Sequence, residues 1–122
     1  MKKEAAKVLI VDDEPLNLDV LEEILQGRCE TAFAESGELA LKEVQASTPD
    51  LVLLDVMMPG IDGYDTCKLL RANPDLAALK IVMISAKSDQ TAIAKGLAYG
   101  ADDYVAKPFD ENTILDVIER YI

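Results

Sequence analysis

Apolar positions along this chain follow two rhythms. Short continuous apolar runs, Val8–Val11, Leu51–Leu54 and Ile81–Ile84, alternate with longer stretches where apolar residues return at helical spacing. A continuous apolar run suits a strand buried on both faces, as in a parallel sheet. The predicted strands are Lys7–Val11, Glu30–Ala34, Leu51–Leu54, Lys80–Ile84 and Asp103–Ala106. The second and fifth are shorter or more mixed, as sheet edges should be.

Helical stretches fill the gaps. The first follows Pro15, a residue tolerated in a first helical turn, and carries Leu18, Leu21, Ile24 and Leu25 on one face. The second opens at Ser36, turns Leu41 and Val44 inward and ends before Pro49. The third runs from Gly63 to Ala72 and stops at Asn73-Pro74. The fourth runs from Asp89 to Tyr99 and stops at Gly100, a good C-terminal cap. The fifth, Asp110 to Ile122, carries Ile114, Leu115, Ile118 and Ile122 at helical spacing.

Strand–helix alternation throughout predicts an α/β fold with a mostly parallel sheet and helices on both faces. Right-handed crossovers leave few topologies. Five units fit a doubly wound (βα)5 three-layer sandwich of strand order 2-1-3-4-5, with the site at the carboxyl ends of the central strands. No linker or low-complexity tract interrupts the chain, so residues 1–122 are read as one domain.

Charge narrows the chemistry. The chain has 12 Lys plus Arg, 23 Asp plus Glu and no His, a formal net charge of -11. Such acidity disfavours direct contact with nucleic acid or anionic membranes. Without His there is no Ser-His-Asp or Cys-His pair within the chain, and no His-containing zinc site. The two cysteines, Cys29 and Cys67, are too few for a four-thiolate site or a disulfide framework. They are expected to behave as small, partly buried apolar residues. The start, Met1 to Lys7, lacks a signal-peptide apolar stretch, and no run is long enough to span a bilayer. A cytoplasmic location is expected. Any chemistry falls to carboxylates, hydroxyls, Lys and a hard metal.

The topology says where that chemistry would sit. Strand 1 ends in Asp12-Asp13-Glu14, strand 3 in Asp55 and strand 4 in Ser85-Ala86, and strand 5 is followed by Lys107-Pro108. Strands 1, 3 and 4 are neighbours in this order, so these ends meet in one crevice. Three converging carboxylates repel one another and raise one another's pKa. All-oxygen ligands favour a hard cation, Mg²⁺ above all, with Mn²⁺ as an alternative. With Lys107 opposite, the set suits stabilisation of a transferring phosphoryl group, and Asp55 is the candidate nucleophile. Each residue alone has a plainer reading as a cap, turn or solvated loop residue. Those readings account for each separately and not for the convergence.

At this point the motifs VLIVDDEP (Val8–Pro15), LVLLDVMMPGIDGYD (Leu51–Asp65), IVMISA (Ile81–Ala86) and GADDYVAKPF (Gly100–Phe109) stand together. In this order and spacing the chain resembles the receiver domains of two-component response regulators over nearly its whole length. The resemblance implies the flavodoxin-like form of the fold and roles for single residues. Asp55 would be the phosphoacceptor. Asp13 would bind Mg²⁺ directly, and Asp12 would bind it or hold a metal-bound water. Met57 would supply a backbone carbonyl to the metal. Ser85 would be the switch hydroxyl, Tyr104 the aromatic switch and Lys107 the phosphate-binding lysine. Pro108 would be a cis proline. Gly60 and Gly63 would allow a tight loop.

The implied donor is a phosphohistidine on a sensor histidine kinase or histidine phosphotransfer protein. Phosphorylation would reshape the helix 4–strand 5–helix 5 face, which then meets a downstream protein, an output domain or a second copy of the chain. Lys95, Tyr99, Ile114, Tyr121 and Ile122 are candidate contacts there. Met57 and Lys87, two residues past Asp55 and Ser85, orient water poorly, so slow self-dephosphorylation is expected.

Three rivals remain in view. A flavodoxin-like cofactor carrier needs an amide-rich phosphate loop where this chain has Asp12-Asp13-Glu14. A Mg²⁺ phosphatase of the haloacid dehalogenase type needs an acid–base Asp where this chain has Met57. A degenerate receiver that only binds partners lacks a site residue, and none is missing here. The chain is expected to be either a stand-alone regulator or a receiver cut from a longer one with its own output, of which Glu14-Pro15-Leu16-Asn17 is a faint sign.

Overall fold

The computed structural model describes residues 6–87 and 89–122. Readings that fall on residues 1–5 therefore lie outside the described residues. Five strands, β1 (Lys7–Val11), β2 (Glu30–Ala34), β3 (Leu51–Asp55), β4 (Lys80–Ser85) and β5 (Asp103–Ala106), pair in parallel in the order β2-β1-β3-β4-β5. Five helices alternate with them: α1 (Pro15–Leu25), α2 (Gly37–Ala46), α3 (Gly63–Arg71), α4 (Gln90–Ala98) and α5 (Glu111–Tyr121). This is the doubly wound arrangement expected from the apolar pattern, in the flavodoxin-like form that the resemblance implied.

Successive strand residues point to opposite faces, so each central strand feeds two cores. Val8, Ile10, Leu51, Leu53, Val82 and Ile84 pack with Leu18, Leu21 and Leu25 of α1 and with Ile114, Val117 and Ile118 of α5. Leu9, Val11, Val52, Leu54, Ile81 and Met83 pack with Ala40 and Val44 of α2 and with Tyr64, Cys67 and Leu70 of α3. Burial on both faces explains why these strands read as unbroken apolar runs.

Helix starts follow local chemistry. Ser36, Asp62, Asp89 and Asp110 each accept a backbone N–H of the first turn, at Leu39, Asp65, Ala92 and Thr113. The α1 start has Pro15 and no such side-chain cap.

The differences from expectation are small and have physical reasons. Asp55 and Ser85 lie inside β3 and β4, because each continues the ladder, Asp55 opposite Ile84 and Ser85 opposite Ala106. A short 3₁₀ turn, Pro74–Leu76, follows α3 and buries Leu76. In α2 the small Ala40 is fully buried and Leu41 only half-buried. In α5 Val117 is buried and Leu115 only partly so. Ile114 is fully buried in the core. It is therefore not available as a partner contact, because α5 turns that position onto the sheet.

At the end of the sheet away from Asp55, Arg71 ties four segments together. Its guanidinium donates to the carbonyls of Gly100, Leu76 and Leu79 and to the Asp102 carboxylate. Asp102 also accepts the Ile81 N–H. This fixes the C-terminal end of α4 to the base of the molecule.

Candidate phosphoryl and metal site

Strand register assembles the site. Val11 of β1 lies opposite Leu54 of β3, so the next residues, Asp12 and Asp55, leave the two strands at one level. On the other flank Ser85 pairs with Ala106, and the Lys107 N–H donates to the Ser85 carbonyl at 2.9 Å. Lys107 thereby begins its loop at the same edge. The Lys107–Pro108 peptide is cis, as the motif implied.

The side chains meet as the register predicts. Carboxylate oxygens of Asp12, Asp13 and Asp55 all lie within 4.8 Å of one another. The Lys107 Nζ sits 3.2 Å from Asp55 Oδ1 and 3.4 Å from Asp12 Oδ2. Asp12 is 3% exposed and Asp55 5% exposed. The other Asp12 oxygen accepts the Glu14 N–H at 2.9 Å, which holds the loop after β1 over the site.

One ammonium faces three carboxylates here. Burial pushes the Asp55 carboxyl up to about 6, with Asp12 adding to it and Lys107 opposing it. Burial works against the Lys107 charge too, but Asp55 and Asp12 outweigh it and hold its pKa above the ordinary lysine value. The residues present fit a hard divalent cation: three oxygen donors are gathered in one place with an excess of negative charge.

The neighbouring loop is shaped by glycine. The Gly63 N–H donates to the Val56 carbonyl at 2.8 Å. A Cβ at Gly63 would lie 2.5 Å from the Asp55 carbonyl oxygen, so α3 begins directly against the Asp55 backbone only because residue 63 has none. Gly60 adopts φ +77° in the same loop. Met57 is 57% exposed, and its side chain offers no proton-transfer group beside Asp55.

Ser85 and Tyr104 meet through one residue. The fully buried Ser85 Oγ accepts the Lys87 N–H at 3.0 Å, and the Tyr104 hydroxyl donates to the Lys87 carbonyl at 2.5 Å. The Tyr104 ring is half-buried against the core. Of the other candidate contacts, Lys95 lies over the Tyr64 ring and Tyr121 bonds Asp102 and Asp103. Sequence reasoning missed Tyr64, whose position in α3 gives no local sign that its hydroxyl reaches α4.

Residues 8–119 match the response regulator receiver domain. The chain belongs to that family. The DNA-binding response regulator MtrA of Mycolicibacterium smegmatis is 45% identical over 104 residues, covering 84% of this chain and 44% of that protein. Protein PilG of Pseudomonas aeruginosa is 30% identical over 122 residues, covering 99% of this chain and 90% of PilG. A response regulator structure from Chloroflexus aurantiacus superposes with a TM-score of 0.91 at 38% identity, covering 96% of this chain and 97% of that one. The receiver chain thus spans less than half the length of MtrA. Receivers bind Mg²⁺ at an acidic cluster of this kind and interact with histidine kinases. No helix among the described residues of this receiver is long and apolar enough to cross a membrane.

The raised Asp55 pKa has a sign. A carboxyl with a folded pKa above its unfolded value near 3.8 binds its proton more tightly when folded. Its stabilising contribution is complete below that unfolded value and is lost as pH rises through about 6. In metal-free buffer the melting temperature should therefore fall relative to Asp55→Asn as pH rises from 4 to 7, and Mg²⁺ should restore it only with Asp55 present. Parallel pH profiles of wild type and Asp55→Asn show no divergence if Asp55 is unstrained.

Proposed function

We propose that residues 1–122 form one receiver domain in which Asp55 accepts a phosphoryl group from a phosphohistidine on a partner protein, a sensor histidine kinase or a histidine phosphotransfer protein. The observation that carries this is the buried Asp55 carboxylate held 3.2 Å from the Lys107 ammonium beside two further carboxylates. A carboxylate oxygen free to attack, with a fixed cation beside it, is what in-line phosphoryl transfer asks of an acceptor.

Asp13 and Asp55, with Asp12 directly or through water and the Met57 backbone carbonyl, would hold Mg²⁺. When bound, Mg²⁺, or Mn²⁺ in its place, supplies positive charge for the phosphoryl oxygens. Lys107 leaves its pairing with Asp12 and Asp55 to neutralise a second side of the group. Ser85 donates its hydroxyl to a phosphoryl oxygen, which pulls the Lys87 backbone and with it the Tyr104 hydroxyl. The outcome is a population shift at the α4–β5–α5 face, read by a downstream protein, an output domain or a second copy of the chain.

The partner's histidine would approach Asp55 past Lys107. Val20 of α1, Pro108 and Phe109 line a groove that reaches Lys107, and Leu16 and Val20 are 76% and 46% exposed. That apolar footing suits a helix presenting its histidine to Asp55. The net charge of -11 argues against nucleic acid and anionic membranes as direct partners. With such a donor the chain would act in the cytoplasm. The protein assists its own phosphorylation and slow dephosphorylation and turns over no separate substrate.

A second reading is supported by the 44% coverage of MtrA: these residues would be the receiver of a longer regulator with its own output domain. PilG, 90% of which is covered, is itself little longer than a single receiver.

Two outcomes are expected. Incubation with a labelled small phosphodonor and Mg²⁺ should label wild type and leave Asp55→Asn unlabelled; retained label in the variant removes Asp55 from the role. Met57→Asn should shorten the phosphoryl lifetime several-fold, about 1 kcal/mol of water orientation. An unchanged decay rate would show that residue 57 does not limit hydrolysis.

A further inference from the structure

Helix α4 has little to hold it by burial. Its buried residues are Ala92 and Gly96, both small, and Leu97 is 47% exposed. Since apolar burial scales with area, this helix gains less from the core than its neighbours do. Its C-terminal end is fixed by Arg71 on Gly100 and by the Cys67 thiol on the Tyr99 carbonyl. Its N-terminal half is held from outside, by tyrosines.

One is Tyr104, whose hydroxyl donates to the Lys87 carbonyl just before α4. Its ring fits because residue 96 is glycine: a Cβ there would lie 2.9 Å from Tyr104 Cδ2 and 2.9 Å from Met83 Sδ. The other is Tyr64. It is 7% exposed and follows Gly63, which is locked against the Asp55 backbone. From that base its hydroxyl donates to the Ala92 carbonyl at 3.3 Å, in the first turns of α4. The Lys95 ammonium lies 4.4 Å from its ring centroid, and the Tyr99 ring packs against it at 5.7 Å. Burial, with the Tyr104 hydroxyl beside it, pushes the Tyr64 phenol up to about 12.

Tyr64 therefore links two places. It follows the glycine packed on the Asp55 backbone, and it holds the start of α4 at Ala92 and Lys95, the same helix on whose Gly96 the Tyr104 ring packs. We propose that Tyr64 is a positioning residue of the switch, fixing the first turns of α4 and the seated ring of Tyr104 in one arrangement. This rests on reading Tyr104 as the switch aromatic. The small inner face of α4 then has a purpose: a helix fastened by hydroxyls and a cation–π contact can shift when one hydroxyl moves, whereas one fastened by buried leucines would resist.

Tyr64→Phe keeps the ring and removes only the hydroxyl. The test compares amide hydrogen exchange across Ala92–Gly96 in wild type, Tyr64→Phe, Tyr104→Phe and the double variant, and the ring proton signals of Tyr104 in wild type and Tyr64→Phe, with no phosphodonor present. Tyr64→Phe should speed exchange of these α4 amides about three- to tenfold, as loss of one buried hydrogen bond allows. It should also move the Tyr104 ring signals, because that ring packs on Gly96 of the same helix. In the Tyr104→Phe background the same change should have less than half that effect on exchange. Unchanged exchange, unmoved Tyr104 signals, or equal effects in both backgrounds would each overturn the proposal. Failure of the phosphoacceptor assignment would show instead as label retained by Asp55→Asn, which these measurements do not touch.

Discussion

Three carboxylates gathered around one ammonium govern this molecule. Asp12, Asp13 and Asp55 bring their oxygens within 4.8 Å of one another, and Lys107 alone answers them among the described residues. In water such a cluster would spread apart; at the end of a parallel sheet it cannot. The strands that carry Asp12 and Asp55 are hydrogen-bonded neighbours in register, and both side chains are almost fully buried. The fold supplies the force that keeps them together, and the excess negative charge makes the site receptive to a hard cation. The raised Asp55 pKa is the electrostatic signature of that confinement.

The same confinement explains how a small chemical event could travel. Ser85 and Tyr104 are joined by the two ends of a single residue, since the Lys87 N–H and carbonyl bond one hydroxyl each. Beyond them lies α4, pinned at its far end by Arg71 and packed on small residues along its length. A rigid sheet edge, a short polar link and a lightly anchored helix form a graded series from stiff to movable. In a two-state response the moving element is drawn from the weakly held end of such a series.

Much of this was legible in the sequence. Strands buried on both faces announce themselves as unbroken apolar runs, and Val8–Val11, Leu51–Leu54 and Ile81–Ile84 did so. Their carboxyl ends, with the loop after the fifth strand, placed Asp12, Asp13, Asp55, Ser85 and Lys107 together from topology alone. Residues whose work is done across the fold left no such mark. Arg71 reads as an ordinary basic residue in the last turn of α3, because the carbonyls it bonds belong to other segments. Tyr64 reads as an apolar position at a helix start, because the Ala92 carbonyl lies 28 residues away in the chain. Ile114 could be read two ways, as an apolar position at helical spacing or as a partner contact, and the packing of α5 on the sheet settles it as core.

The central claim is that Asp55 is the carboxylate the site uses, chosen from three by its place at the end of β3 beside Lys107. Chemical trapping addresses this in the unaltered protein. Treatment with phosphoramidate and Mg²⁺, followed by borohydride, reduces an acyl phosphate to an alcohol that peptide mass spectrometry can place. The reduced residue should be found at position 55 and should depend on Mg²⁺. Reduction at position 12 or 13, or the absence of any trapped residue, would contradict the assignment.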